Sequence, residues 1–521
     1  MLYVKIIAIT KTICYNVGER LFILEFLSVG GASASDAAII AVTTVFSVLC
    51  FIGLIVLLCR FADFDGKVKN TVVILSAVLA VGLVLRLVFA LTIRGNRGDY
   101  GVFINAINNL KLNGTSGYKG DASSSLYPMV YLVYLIFGGL ANAMDLSAHD
   151  VSMQFMVKFP LIIADLLTAF AVYKVADRYT NRAMALTLAG FVCVCPIFFI
   201  GSVIWCSPIT FTVMFACFAC YFLARKKYAP TIAFGMLAAF SGKEGIYLFP
   251  AVCVFSVFHL VRAARNIRRD KPKGDAILSA DYRAVISVPV SFVLSFTAVY
   301  LLGLVMVHSH SYNPFKYIYE FLLAPLADWK YFTVDGLSVY SIFNRSGMTA
   351  GARFPSWLFV CMFAFIIFGV VGVVYFTKRN RATMVLLIAF SLFTMQVYYP
   401  DTTAVSMQGT LAVMLVAYAL NRDKRILYVL FLVGLCFAIN SLTTLGNMGQ
   451  MNNLSDYDLV NVATSGIKAV TIVCSVITIF AHLYFTVVTV SIGMTGQRRM
   501  LEPSRTIGGS INEFFSVKRD K

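Results

Sequence analysis

The chain of 521 residues is 59% hydrophobic and 13% charged, with a formal net charge of +18. Soluble domains carry about 25% charged residues, so the composition excludes an ordinary water-soluble enzyme and points to an all-α, polytopic membrane protein. The positive excess sits in short clusters between apolar runs, as in cytoplasmic loops under the positive-inside rule, and does not describe a nucleic-acid surface.

Residues 1–36 combine basic residues, small residues and an apolar stretch broken by Glu25, a pattern that is either signal-like or disordered. Apolar runs then stand near 37–59, 71–93, 157–177, 183–203, 208–224, 229–242, 246–264, 285–307, 355–377, 382–399, 404–420, 426–444 and 467–491. A run of about 20 residues spans the roughly 30 Å hydrocarbon layer, so about thirteen crossings are expected. Basic clusters at Arg60–Lys69, Lys174–Arg182, Arg225–Lys227, Arg262–Lys273, Lys378–Arg381, Arg422–Arg425 and Arg498–Lys521 fall at alternate connections and at the C-terminus. They assign those connections to the cytoplasm, the N-terminus to the outside and the C-terminus to the inside.

YPMVYLVYLIFGGLANAM (127–144) is apolar enough to cross. Crossing would place every later basic cluster on the wrong face, so parity lays this segment on the outer interface or makes it re-enter. One long outer region, 94–156, follows from that. Within it DYGVFINAINNLKL has apolar residues at 103, 104, 107 and 110, near helical spacing, which suits a helix lying on the surface. No fixed-period repeat marks a secondary transporter. Cys217 and Cys220 form a CxxC inside an apolar run and are expected to be packing residues.

The unusual polar groups collect on the outer face. Asp99 follows a span in RGNRGDYG, beside Arg94 and Arg97; Lys158 opens a span in KFPLIIADLL, with Asp165 at i+7. Lys243 and Glu244 interrupt FSGKEGIYLFP, Arg353 closes the loop that holds His308 and His310, and Asp401 follows the later turn. Arg86 lies inside a span, where a charge costs about 2.5–3.5 kcal/mol unless it is partnered. His308 and His310 are too close for helical zinc-ligand spacing, and no Walker loop, GxSxG or HExxH occurs. A carboxylate at the outer surface among cations can accept a hydroxyl proton, while Arg and Lys hold the phosphate of a lipid-borne donor. On the residues alone, a loop-capping acid is the favoured reading of Asp99.

The order of these elements resembles the GT-C superfamily of glycosyltransferases that use polyprenyl-phosphate sugars. Within it the chain is similar to the integral-membrane mannosyltransferases related to GPI mannosyltransferase II, many of them bacterial. RLVFALTIRGNRGDYGVFINAINNL, SLYPMVYLVYLIFG, KFPLIIADLLTAFAVYKVADR, CPIFFIGSVIWCSPITFTVMF, AFGMLAAFSGKEGIYLFPAV and LSVYSIFNRSG follow in family order. The resemblance implies a catalytic base at Asp99; Arg94, Arg97, Lys158, Asp165, Lys243, Glu244, Arg353 and Asp401 are the candidate donor and sugar contacts among the outer-face polar groups. No metal is expected, because Gly101 stands two residues after Asp99 where a second acid would be needed, and no cofactor, the polyprenyl-phosphate sugar being a substrate. The sequence departs from the family pattern at WCSPI (205–209), which lacks the acid of Trp-Gly-Gln-x-Asp, at Lys243-Glu244-Gly245 and at TAVSMQ (403–408).

The expected organisation is an N-terminal segment (1–36), an extra span and cytoplasmic turn (37–70) and a catalytic module (71–307) containing the outer loop 94–156. A second outer loop (308–354), C-terminal membrane helices (355–491) and a basic tail (492–521) complete it. The expected function is transfer of a hexose, mannose by resemblance, from the lipid-linked donor to a lipid, glycan or protein acceptor at the extracytoplasmic face. The expected membrane is a bacterial plasma membrane, or the ER in a eukaryote. A non-catalytic carrier of polyprenyl-linked lipid and a secondary transporter are the alternatives.

Overall fold

The computed structural model describes residues 34–61, 70–93, 95–113, 127–146, 151–225, 227–246, 280–307, 333–343, 381–400, 402–447 and 465–495, with isolated positions at 248, within 260–268 and within 366–370. In chain order the helices are α1 (Ala34–Phe61), α2 (Thr71–Thr92), α3 (Arg97–Asn113), α4 (Pro128–Ala143), α5 (Val151–Tyr179), α6 (Arg182–Val194) and α7 (Ile209–Ala224). There follow α8 (Tyr228–Ala239), α9 (Ala280–Val307), the short α10 (Val339–Phe343), α11 (Arg381–Tyr398), α12 (Met407–Asn421), α13 (Lys424–Asn447) and α14 (Ser465–Thr495). Two-residue strands β1 (Thr333–Val334) and β2 (Thr402–Thr403) pair in parallel and tie the chain before α10 to the turn between α11 and α12. The runs expected near 246–264 and 355–377 lie mostly outside the described residues.

α1, α2, α5, α13 and α14 are long and apolar enough to cross a membrane by length and composition. Side chains lock many helix ends together at one end of the bundle. Asn181 Nδ2 donates to the Phe61 carbonyl at 2.6 Å, and Asn421 Nδ2 to that of Ala382 at 3.0 Å. The Tyr179 hydroxyl donates to the Ala224 carbonyl, and Arg422 to that of Tyr179. Thus α1, α5, α7 and α12 finish where α6, α11 and α13 begin, among Arg60, Arg182, Arg225, Arg422 and Arg425. The described parts of four basic clusters, at Arg60, Lys174–Arg182, Arg225 and Arg422–Arg425, meet at this end.

At the opposite end α5 starts where α2 stops, because Gln154 Nε2 donates to the carbonyls of Ala90 and Ile93 at 2.5 and 2.6 Å. The segment 127–144 stays at that end. The amide of Met129 bonds the Phe240 carbonyl at 3.1 Å, the Tyr134 hydroxyl donates to Val157 O at 2.8 Å, and Phe137 meets Phe159 at 6.1 Å. α4 therefore lies over the first turns of α5 and does not join the two ends, as parity requires. Cys217 and Cys220 are buried in α7 as packing residues.

The run 183–203 is not one helix. α6 stops at Val194, and a 3₁₀ turn (Pro196–Phe198) and a π turn (Ile200–Ile204) carry the chain onward. Pro196 has no amide to continue the ladder. Thirteen helical residues reach only about 20 Å, so the unwound stretch completes the path across the bundle. Irregular backbone at membrane depth needs protein around it, and Ile197, Phe199, Ile200, Val203 and Ile204 are all fully buried.

Candidate functional site

The break after α6 leaves backbone carbonyls without helical partners, and charged side chains fill them. Arg86 of α2 donates through Nη1 to Cys193 O at 2.7 Å and through Nη2 to Val192 O at 3.1 Å. Its Nε meets Asp165 Oδ2 of α5 at 3.0 Å, and its guanidinium lies 5.1 Å from the Phe199 ring. The Ser202 hydroxyl donates to the same Asp165 oxygen. Gly82 permits this approach, since a Cβ there would stand 2.9 Å from Cys193 Cβ. Lys158 Nζ, also buried, donates to the carbonyls of Ile93 and Val203, tying the end of α2 to the π turn. Arg86, Asp165 and Lys158 thus form one frame joining α2, α5 and the unwound chain.

Asp99 stands next to that frame, just beyond the C-terminal end of α2. Gly95, with φ +102°, lets the chain turn over the 204–206 backbone; a Cβ there would lie 3.0 Å from both Trp205 O and Cys206 Cβ. Asn96 then caps α3, its Oδ1 accepting from the Asp99 amide at 3.2 Å. A capping-box acid at Asp99 would reach back to the Asn96 amide, but that amide donates to Trp205 O at 2.8 Å. The carboxylate instead accepts from the side chains of Ser207 and Trp205. Asp99 therefore does not close a capping box on Asn96, and its carboxylate faces the 205–207 turn.

Asp99 is half-buried. Burial pushes its carboxyl up to about 7, against the opposing pull of the Ser207 and Trp205 hydrogen bonds. Two charges then act in opposite directions: Glu244 raises it further and Lys243 lowers it. Glu244 in turn accepts a hydrogen bond from Ser406 at 3.2 Å, and Ser406 also receives the Thr403 amide at 3.0 Å. The turn before α12 is thereby bound to the 243–246 turn, and β1 to both through β2.

The structure therefore gathers Asp99, Lys243 and Glu244 at one end of the bundle and sets Lys158 and Asp165 beneath them. Arg94, Arg353 and Asp401 lie outside the described residues, as do His308 and His310 and the side chain of Arg97. Sequence reasoning missed Ser207, Trp205, Asn96 and Ser406. The one available signal was that WCSPI and TAVSMQ fall on family motif positions. Cys206, with φ +70°, holds a backbone shape that glycine adopts freely, and it stands where the family pattern has Gly. Among the described residues no group of three His, Cys, Asp or Glu side chains is placed to hold a metal ion.

A family described as dolichyl-phosphate-mannose-protein mannosyltransferase matches residues 148–280. The matched stretch contains Lys158, Asp165, Lys243 and Glu244, and begins after Asp99. It implies membrane glycosyltransferase activity of the mannosyltransferase type. No curated protein matches the chain.

Proposed function

We propose that this integral membrane protein transfers a hexose, mannose by similarity, from a polyprenyl-phosphate donor to an acceptor at the extracytoplasmic face. Asp99 is the general base. It takes the proton of an acceptor hydroxyl while that oxygen bonds the anomeric carbon. The bond from that carbon to the phosphate breaks, and polyprenyl phosphate leaves with the electron pair. The observation carrying this reading is the half-buried Asp99 carboxyl, held by the neutral donors Ser207 and Trp205 and raised to about 7, in the range a base needs at neutral pH.

Lys243 is the cation for the donor phosphate, with Arg94, Arg97 and Arg353 as further candidates; Asp401 and Glu244 are candidates for sugar hydroxyls. Lys158 and Asp165 take a positioning role, since Asp165 is paired with Arg86 and the Lys158 ammonium is engaged by the Ile93 and Val203 carbonyls. The narrower likeness to relatives of GPI mannosyltransferase II, and a bacterial rather than an ER membrane, belong to the same proposal.

The test uses protein in lipid nanodiscs with polyprenyl-phosphate mannose and a panel of alcohol and glycoside acceptors, followed by release of polyprenyl phosphate. Asp99→Asn is expected to lower turnover by about 10²–10⁴-fold, the usual contribution of general acid–base catalysis. Unchanged turnover in that variant removes Asp99 as base. Donor binding without turnover in either protein makes the chain a lipid carrier.

A further inference from the structure

A second feature lies at the other end of the bundle, away from Asp99. An open-sided cleft of about 540 Å³ runs between α1, α2 and α6, within the roughly 300–1,000 Å³ range of small-molecule sites. Phe61 of the last turn of α1, Ile74 of the first turn of α2 and Ala183 of the first turn of α6 line it, which places it in the half nearest the basic end. Two glycines open its walls. A Cβ on Gly53 would meet nothing within 4 Å, and one on Gly190 would reach only Val78 Cγ1 at 3.8 Å.

The walls offer nothing polar for a ligand to read. The Thr187 hydroxyl in the lining already donates to the Ala183 carbonyl at 2.9 Å. A long hydrocarbon chain fits such a wall, and a compound with polar groups along its length does not. Any recognition of a head must come from the rim. There Arg60 adjoins Phe61 and Arg182 adjoins Ala183; both cations are exposed, and Arg182 is held only loosely by Asp177 at 3.9 Å. Exposed basic residues at a membrane surface attract anionic lipid.

We propose that this cleft is a binding site for one anionic glycerophospholipid, with an acyl chain between α1 and α6 and its phosphate at Arg60 and Arg182. It lies at the opposite end of the bundle from Asp99, so the site does not depend on the transferase reading.

The experiment reconstitutes the full chain in nanodiscs carrying phosphatidylglycerol or phosphatidylcholine with a photoactivatable acyl chain and maps the labelled peptides by mass spectrometry. Labelling is expected within 50–61 and 183–194, stronger with phosphatidylglycerol. Gly53→Leu fills the cleft and is expected to abolish that labelling, while Gly53→Ala, which adds one methyl into open space, retains it and controls for folding. Arg60→Gln and Arg182→Gln are each expected to cut the preference for phosphatidylglycerol by about fivefold, the factor for one surface cation. Equal labelling by the two lipids, or labelling indifferent to Gly53→Leu, leaves only ordinary boundary lipid and overturns the site. An unlabelled cleft, with residues 1–33 crosslinked into it, assigns the cleft to the chain's own N-terminal segment and overturns it equally.

Discussion

Asp165 and Asp99 are both acids near the unwound stretch after α6, and they are treated in opposite ways. Asp165 lies inside the bundle with Arg86 at 3.0 Å and the Ser202 hydroxyl on one oxygen, so its charge is matched where it sits. Asp99 has neutral donors, Ser207 and Trp205, and two opposed charges, Glu244 and Lys243. A paired buried acid holds helices together, whereas a half-buried acid without a dedicated cation keeps its proton affinity available. The difference separates a frame from a site, although both acids follow a span or lie within one.

Breaking the frame is the largest effect expected. Removing one member of a buried ion pair costs about 3–5 kcal/mol, so Asp165→Ala should sharply lower the thermal unfolding midpoint in detergent. The double change Arg86→Met with Asp165→Leu should recover much of the loss, because no charge is then left unmatched. If both proteins melt alike, the pair is not the lock described here. Gly95→Ala is expected to be the next largest, at about 1–3 kcal/mol for a side chain forced into a disfavoured backbone region. Its Cβ would press on Trp205 O and Cys206 Cβ, so transfer should fall more than stability does. An equal fall in both would detach Gly95 from the site.

Much of the frame's outline is legible in the residues. Apolar runs locate α1, α2, α5, α13 and α14, and charge parity sets 127–144 apart from the crossing segments. Arg86 inside a span announces a partner, but Asp165 is 79 positions away, and nothing local selects it. The break at Pro196 is hidden because hydropathy runs unbroken through 183–203, and apolar side chains do not report a lost backbone ladder. The site is less legible for a related reason. Ser207 and Trp205 meet Asp99 where Gly95 and Cys206 both take positive φ, and a serine in a turn carries no mark of what it faces.

The two acids should also differ in their response to pH. The Asp99 carboxyl binds its proton more tightly in the folded chain, at about 7, than an unfolded aspartate does, at about 3.9. Its charge therefore disfavours folding: the penalty is absent below the unfolded value, grows as pH rises and is complete above about 7. Asp99→Asn removes that penalty, so its melting midpoint should exceed that of the unchanged protein at pH 8, with the gap closing towards pH 4. A loss of stability in Asp99→Asn at every pH would mean that the acid belongs to the frame.

The smallest effect expected is also the most specific to the site. The transferase rate should carry an acid limb with a midpoint near 7, as the base loses its charge on acidification. Ser207 donates to the carboxylate and lowers its proton affinity, so Ser207→Ala should move that limb to higher pH, by about one unit or less for a single hydrogen bond. Ser406→Ala changes a partner of Glu244 rather than of Asp99. Its effect should fall on the rate plateau while the limb stays in place. A limb that moves with Ser406 and not with Ser207 would transfer the titrating role from Asp99 to Glu244.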